Sequence, residues 1–298
     1  MSTATNLEVL YNPFIIVTLL YLLSSIWEVG RLTRPDRYSK LWAERLPIAA
    51  FLLHTVFLIL LAMRAGNVPI TNLYEALILL SWCVVGVFTT VEYIYNVPSV
   101  GAFLFPIVTV LSICALYMKG NSLVAPPTLS KFWLIAHIVP LFMGYAAFTL
   151  TFVFSIMYLT QQRQLKHKTF GPVFHGLPSL ERLDAMMWRA LSFGFPLLTL
   201  GLVLGAFWMK YSNALGPQWY LDSKVVMGLV TWLFYAALLH LRVGVSMHGN
   251  KVAGLTIAAF ILVLFTFLGT FFLGAQHGYL DASKEDSRLI IREFESKR

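Results

Sequence analysis

Four of the seven histidines occupy positions where the imidazole is expected to have a specific role. His54 and His240 lie inside long apolar segments, where an ionisable side chain is costly and should face the interior of a helix bundle with a partner. His137 and His277 lie at the ends of two other apolar segments. The remaining histidines lie in basic stretches, where an exposed histidine is usually an ordinary surface residue: His167, His175 and His248.

The elements that must position these histidines are membrane-spanning helices. The chain of 298 residues is 58% hydrophobic and 12% charged, so its apolar surface exceeds what one water-soluble core buries. About 20 apolar residues cross a bilayer as a helix, and the sequence accordingly predicts an all-α, polytopic bundle of eight transmembrane helices. Their expected bounds are 14–29, 46–63, 73–93, 101–118, 132–159, 190–209, 225–245 and 253–273, the fifth being long enough to project from the membrane.

Basic residues fix the expected orientation of this bundle, because cytoplasmic loops carry an excess of Lys and Arg. Both termini and the loops 119–131 and 205–224 are therefore predicted to be extracytoplasmic. Ten basic residues lie on that side, half of them in the mixed-charge C-terminal tail. The twelve on the cytoplasmic side are Arg31, Arg34, Arg37, Lys40, Arg45, Arg163, Lys166, Lys168, Arg182, Arg189, Arg242 and Lys251.

This topology sorts the four histidines into two pairs. At a rise of about 1.5 Å per residue, His54 lies roughly 12 Å and His240 roughly 5–8 Å from the cytoplasmic ends of their spans. Both are in the inner half of the membrane, where one planar ligand could bridge them. His137 and His277 are expected near the outer boundary, as a second bis-histidine position on either side of the loop 205–224.

Paired imidazoles with aromatic residues nearby favour a haem site. Haem iron takes neutral imidazole nitrogens as axial ligands, and its propionates favour cationic side chains. Lys210, Lys224 and Arg242 are placed near the two histidine pairs. Zinc is disfavoured because neither cysteines nor carboxylates accompany the histidines. For any one histidine alone, the alternative is a hydrogen-bonded packing residue.

Other features of the composition exclude further functions. Cys83 and Cys114 lie in different spans without CxxC or CxxCH spacing, so neither a thiol–disulfide relay nor covalent haem attachment to this chain is expected. The net charge of +8 is divided among loops between spans, which argues against nucleic-acid binding. The polar start, MSTATNLEVLYNP, leads directly into an apolar run and favours a signal anchor over a cleaved signal peptide.

The segment 205–224 and the start of the next helix carry a resemblance to a known family. Trp219, Asp222 and Lys224 match the tryptophan-rich "WWD" segment, approximately WGxxWxWDPKE, of the CcsA/ResC/HemX haem-handling membrane proteins. The match is partial. The first and third tryptophans, the proline and the glutamate of that pattern are replaced by Leu215, Leu221, Ser223 and Val225.

Further matches extend the resemblance over most of the chain. Asn72-Leu73-Tyr74-Glu75-Ala76 with Ser81-Trp82 is similar to the NLYES…SW signature of that family. Leu239-His240-Leu241-Arg242 is similar to the segment with the transmembrane histidine, and His54 fits the other transmembrane histidine. The outer-face histidines correspond to His137, before Gly144-Tyr145-Ala146, and to His277, before Gly278-Tyr279.

The resemblance implies haem handling in System II cytochrome c biogenesis. In that family the transmembrane pair is thought to receive haem from the cytoplasmic side, and the outer site presents it to the CxxCH motif of apocytochrome c. The resemblance implies non-covalent, transiently held haem b and a CcsB/ResB-like membrane partner with a large extracytoplasmic domain. The plasma (inner) membrane is the default location, with a thylakoid as the alternative. Catalytic residues are not implied, and membership of a cytochrome c haem-lyase complex stays open. The implied haem-contacting residues are His54, His240, His137 and His277 as axial ligands, with Trp208, Trp219, Tyr220, Asp222, Lys224 and Arg242.

Two alternatives remain at this point. HemX-type relatives share the eight-span layout and are linked to control of haem biosynthesis at the glutamyl-tRNA reductase step. A small-molecule transporter without haem is the second, suggested by Glu28, Glu75 and Glu92 near span ends, although helix-end carboxylates usually just reach the interface. No inverted repeat supports a transporter.

The sequence predicts one transmembrane domain over 1–280 and a charged tail over 281–298. In the cytoplasmic stretch 161–189, the segment SLERLDAMMWRA is expected to form a short helix on the membrane surface. A docking site for a cytosolic partner is the alternative for this stretch. Gly201 and Gly205 form a GxxxG motif, which suits helix packing within the bundle as well as dimerisation.

Overall fold

The computed structural model describes residues 13–65, 72–118, 131–212 and 219–269. All regular structure in these ranges is helical, and eight helices are long and apolar enough to cross a membrane. The predicted all-α polytopic bundle is thus confirmed. The helices are α1 (Phe14–Thr33), α2 (Lys40–Ala65), α3 (Leu73–Tyr95), α4 (Val100–Tyr117), α5 (Lys131–His167), the short α6 (Pro172–Gly176), α7 (Leu180–Ser212), α8 (Ser223–Val243) and α9 (Asn250–Leu264). A 3-10 turn (Trp219–Leu221) precedes α8, and a π turn (Phe265–Gly269) follows α9.

Helix α5 is the central element of the bundle. It packs most extensively against α7, and also against α3 and α9. Helix α1 packs against α4 and α2, while α8 packs mainly against α7 and α9. The apolar window of α5 is 72% buried, against 17% for α2 and 22% for α8. Helices α2 and α8 are therefore peripheral, with their apolar surfaces left for lipid.

Polar side chains inside the spans are satisfied largely within their own helices. On α5, the hydroxyls of Thr149, Thr151 and Ser155 each donate to the carbonyl four residues earlier, at 2.8 Å. A hydrocarbon environment offers no water to such groups, so local bonding of this kind is what the membrane requires. It leaves the interfaces of α5 free for close packing of apolar residues.

Helices α5 and α7 are too long for the membrane alone. With 37 and 33 residues, they extend about 55 and 50 Å, whereas the hydrocarbon core is about 30 Å thick. The end of α5 and the start of α7 are joined through α6 and project together. Ser99, in the turn between α3 and α4, donates to the Gly176 carbonyl at 2.8 Å, and Arg182 donates to the Tyr95 carbonyl at 2.6 Å. These bonds tie the projecting ends to the rest of the bundle.

The separate surface helix predicted after Pro178 is not observed. That segment forms the first turns of α7 and continues without a break into the sixth span. Leu183, Met186 and Met187 are buried there, and the Ser155 hydroxyl oxygen of α5 lies 3.2 Å from the Met187 sulfur. The amphipathic pattern arises because one face packs on protein while the other stays polar, not because the helix lies on lipid.

Candidate functional site

His137 lies in the second turn of α5, at the predicted outer end of the bundle, and faces α7. Its Nδ1 is 2.6 Å from the carbonyl oxygen of Gly201. A carbonyl only accepts, so Nδ1 must carry the proton that this bond uses. In the neutral ring, Nε2 then has a free lone pair. No hydrogen bond to this Nε2 is found among the described residues. Metal-ligating histidines commonly show this arrangement.

The outer loop, 205–224, carries five of the predicted site residues at the ends of α7 and α8. Trp208 is half-buried in the last turns of α7. Trp219 and Tyr220 form the 3-10 turn, with ring centroids 6.2 Å apart, and the Tyr220 side chain is exposed. His277 and the segment 213–218 fall outside the described residues, so the expected partner of His137 is not placed. The same holds for the predicted tail 281–298.

Asp222 serves as the N-cap of α8. One of its carboxylate oxygens accepts a hydrogen bond from the backbone N–H of Lys224 at 2.9 Å. A capping carboxylate satisfies a backbone donor that the helix leaves open and complements the helix dipole. Asp222 thus fixes the point where the loop enters α8, and this accounts for the aspartate locally. The Lys224 side chain is half-buried in the first turn.

His54 is fully buried in the middle of α2. Its Nδ1 lies 2.9 Å from the hydroxyl of Tyr21 on α1, and the Phe14 ring meets it edge-on at a centroid distance of 5.2 Å. Its Nε2 is buried and has no hydrogen-bond partner among the residues that the structure describes. A buried polar atom without a partner is rare and requires an explanation.

Replacing Tyr21 with phenylalanine is expected to lower the free energy of unfolding by about 1 to 2 kcal/mol, because both nitrogens of a buried imidazole would then lack partners. Thermal unfolding of the detergent-purified chain, followed by circular dichroism, measures this. Tyr117→Phe is the matched control, since the Tyr117 side chain is 78% exposed. Equal melting temperatures for Tyr21→Phe and the wild type would show that the hydroxyl does not stabilise the ring.

His240 has very different surroundings from His54. It lies near the end of α8 and is exposed. Helix α2 packs mainly on α1 and α3, whereas α8 packs mainly on α7 and α9. The described contacts therefore do not bring the two transmembrane imidazoles together, although both lie within spans as the sequence predicts.

Arg242, two residues after His240, is held by Asp184 of α7. Its guanidinium donates to both carboxylate oxygens of Asp184, at 2.6 and 3.2 Å, and to the Asp184 backbone carbonyl at 2.9 Å. It also lies 5.4 Å from the centre of the Trp188 ring. The Arg242 side chain is 6% exposed. These contacts join α7 to α8 through the arginine. The expected role of Arg242 as a propionate partner stays a prediction.

Two carboxylates interpreted as helix-end groups reaching the interface are in fact buried. Glu28 is 9% and Glu75 is 1% exposed. The GxxxG motif, in contrast, is used within the bundle: a Cβ at Gly201 would meet Leu141 of α5 at 3.1 Å. Within the described ranges, no cluster of three or more His, Cys, Asp or Glu side chains is arranged to hold a metal ion.

Sequence reasoning missed three groups at these positions. They are the Tyr21 hydroxyl on His54, the Gly201 carbonyl on His137, and Asp184 on Arg242. A tyrosine in an apolar span and the GxxxG motif were available as signals. The Asp184 partnership had no local signal, since it joins residues 58 positions apart.

Comparison with known proteins agrees with these features. A family model described as "Cytochrome C assembly protein" matches residues 70–277. A "Cytochrome c biogenesis protein CcsA" of Guillardia theta is 31% identical over 290 residues, which cover 90% of this chain and 95% of the relative. "Protein HemX" of Brevibacillus brevis is 29% identical over 252 residues, covering 84% of this chain and 92% of the relative. The family match spans both the α3 start and the α8 segment with its histidine, and on this basis the chain belongs to the cytochrome c assembly protein family.

Proposed function

We propose that this integral membrane protein handles haem during cytochrome c assembly. It would accept haem b non-covalently and present it at the outer end of the bundle for attachment to apocytochrome c. The observation that carries the proposal is the state of His137: its Nδ1–H is fixed on the Gly201 carbonyl, so Nε2 is the nitrogen left to bind iron.

The outer site would consist of His137 and His277, with the aromatic residues of the loop beside them. Trp208, Trp219 and Tyr220 supply flat apolar surface for a macrocycle, and Lys224 supplies a cation for propionates. The loop carries fewer tryptophans than the family pattern, with leucine at positions 215 and 221. The stacking surface is correspondingly smaller, and the two histidines must contribute more of the binding energy.

The inner site would use His54 and His240. The buried Nε2 of His54, which has no hydrogen-bond partner within the described ranges, supports this role, because a bond to iron would satisfy it. The ring is covered by Phe14 and closely packed. For His54 and His240 to hold one haem, α8 would have to move toward α2.

In this proposal the chain itself contributes ligands, orientation and exclusion of water. Haem supplies the vinyl groups and the iron whose reduced state the attachment reaction needs. The segments that join helices at the predicted outer end, 66–71, 119–130 and 213–222, are at most 12 residues long, too short to enclose an apocytochrome. We therefore propose a CcsB/ResB-like membrane partner with a large extracytoplasmic domain, in the plasma membrane.

An absorption spectrum of the purified full-length chain, titrated with haemin, tests haem binding. We expect a Soret band at a longer wavelength than that of haemin in empty detergent micelles. On reduction, resolved α and β bands should appear, as low-spin bis-imidazole iron gives. A spectrum identical to the detergent blank would contradict the proposal and favour a transporter that binds no haem.

A HemX-type regulator is the second candidate, and the match to HemX over 92% of that relative favours it. Haem binding alone does not separate the two functions. Staining the membranes of a gene-deletion strain for covalent haem does separate them. Loss of an assembly protein removes all c-type cytochromes, whereas loss of a regulator leaves them present and changes tetrapyrrole accumulation.

A further inference from the structure

The ring of His137 occupies space that exists only because residue 205 has no side chain. A Cβ added to Gly205 of α7 would lie 2.6 Å from both Cε1 and Nδ1 of His137 and 3.3 Å from Nε2. Real Cβ atoms do not approach other atoms this closely. One turn earlier on the same helix, Gly201 provides the carbonyl that holds Nδ1 at 2.6 Å.

These two contacts constrain the imidazole in different ways. The Gly201 carbonyl sets the tautomer and the direction of the Nδ1–H bond, and it leaves Nε2 as the coordinating nitrogen. Gly205 sets the position of the ring plane, because the imidazole lies directly against the glycine Cα face. Tautomer and orientation are the two properties that neighbouring groups of a metal-ligating histidine normally control.

We infer that Gly201 and Gly205 are positioning residues that hold the His137 imidazole in the orientation needed to bind haem iron through Nε2. This inference rests on the proposed function of His137. It gives the GxxxG motif of α7 a role beyond helix packing. Gly201 allows the backbone of α5 to pack closely at Leu141, and Gly205 leaves space for the His137 imidazole.

Gly205→Ala tests this inference. The added methyl group would collide with the His137 ring, which can move, and with no backbone atom. The fold should tolerate the change, while the ring loses its place against α7 and its bond to Gly201. Gly194→Ala is the matched control on the same face of α7. Its Cβ would lie 2.8 Å from the Phe148 ring of α5, so it disturbs the same helix pair without touching His137.

The experiment is a haemin titration of the purified full-length chain carrying His54→Ala and His240→Ala, so that the outer site alone is measured. We expect Gly205→Ala to weaken haem affinity about 10- to 100-fold, as loss of an orienting partner of a ligating histidine does, and to lower the low-spin fraction. Gly194→Ala should bind haem as the parent does, even where its melting temperature falls.

A second readout needs no haem. In the apo chain labelled with ¹⁵N-histidine, the His137 signals should show one tautomer protonated at Nδ1, and this single population should be lost in Gly205→Ala. Haem affinity and ¹⁵N signals that are unchanged by Gly205→Ala overturn the inference. If His137→Ala also leaves haem binding unchanged in the parent, the proposed function of His137 fails instead.

Discussion

Replacing His137 with alanine is expected to reduce covalently attached haem in the c-type cytochromes of the cell by at least about 100-fold. The loss of an orienting partner of a ligating histidine already costs 10- to 100-fold, and the variant removes the ligand itself. Fold and insertion should be retained, because His137 is only half-buried, near the start of α5. Haem staining of membrane proteins after denaturing electrophoresis, with the chain quantified by immunoblot, measures the effect.

His175→Ala is the control for this result. His175 lies in α6, at the opposite end of the bundle, and is exposed. It should leave the cytochromes at wild-type levels. Normal cytochrome haem in His137→Ala at equal protein abundance would remove His137 from the reaction, whatever the purified chain binds.

Replacing Arg242 with alanine is expected to lower the free energy of unfolding by about 3 kcal/mol or more, because it leaves the largely buried Asp184 carboxylate without its charge partner. The pair is bidentate, with the shorter contact at 2.6 Å and with side chains only 6% and 20% exposed. Since Asp184 also accepts from the Gly249 N–H at 3.4 Å, the ends of α7, α8 and α9 should loosen together.

The exposed pair Lys40–Glu44 is the matched control. Its atoms are 3.5 Å apart and its side chains 74% and 53% exposed, so Lys40→Ala should cost less than about 1 kcal/mol. The double variant Arg242→Met with Asp184→Leu should recover much of the lost stability, because apolar replacement removes both charges. Melting of the purified chain in one detergent compares all of them. Equal stability of Arg242→Ala and Lys40→Ala would show that the Arg242–Asp184 ion pair does not hold these helices together.

The eight spans could be predicted from sequence because the membrane itself sets their length and requires an apolar outer surface. The predicted third span, 73–93, differs from α3 by two residues at one end. The Asn72 side chain accepts from the Glu75 N–H at 2.9 Å, and this cap marks the start of α3. Boundaries facing water were harder. The sixth span was predicted to begin at residue 190, whereas α7 begins at Leu180, since the added turns pack on protein and carry charges.

Pairing of the functional side chains could not be predicted in the same way. Apolar segments and basic loops give the depth of a residue, and this placed His54 and His240 within the spans. These patterns do not indicate which helices are neighbours. That depends on the packing of the whole bundle, in which α2 lies beside α1 and α8 beside α7. The partner of Arg242 could not be predicted for the same reason, because Asp184 lies on a helix whose proximity no local pattern reveals.

Ligand rescue tests the central claim, that His137 binds haem iron through Nε2, most directly. The purified full-length chain with His137→Gly, in a background of His54→Ala and His240→Ala, is titrated with haemin in the absence and presence of free imidazole. The account predicts that the low-spin Soret, α and β bands are lost in this variant and return as imidazole fills the vacated position. Low-spin bands that persist in the variant without imidazole would contradict it, because the iron would then take its axial ligands elsewhere.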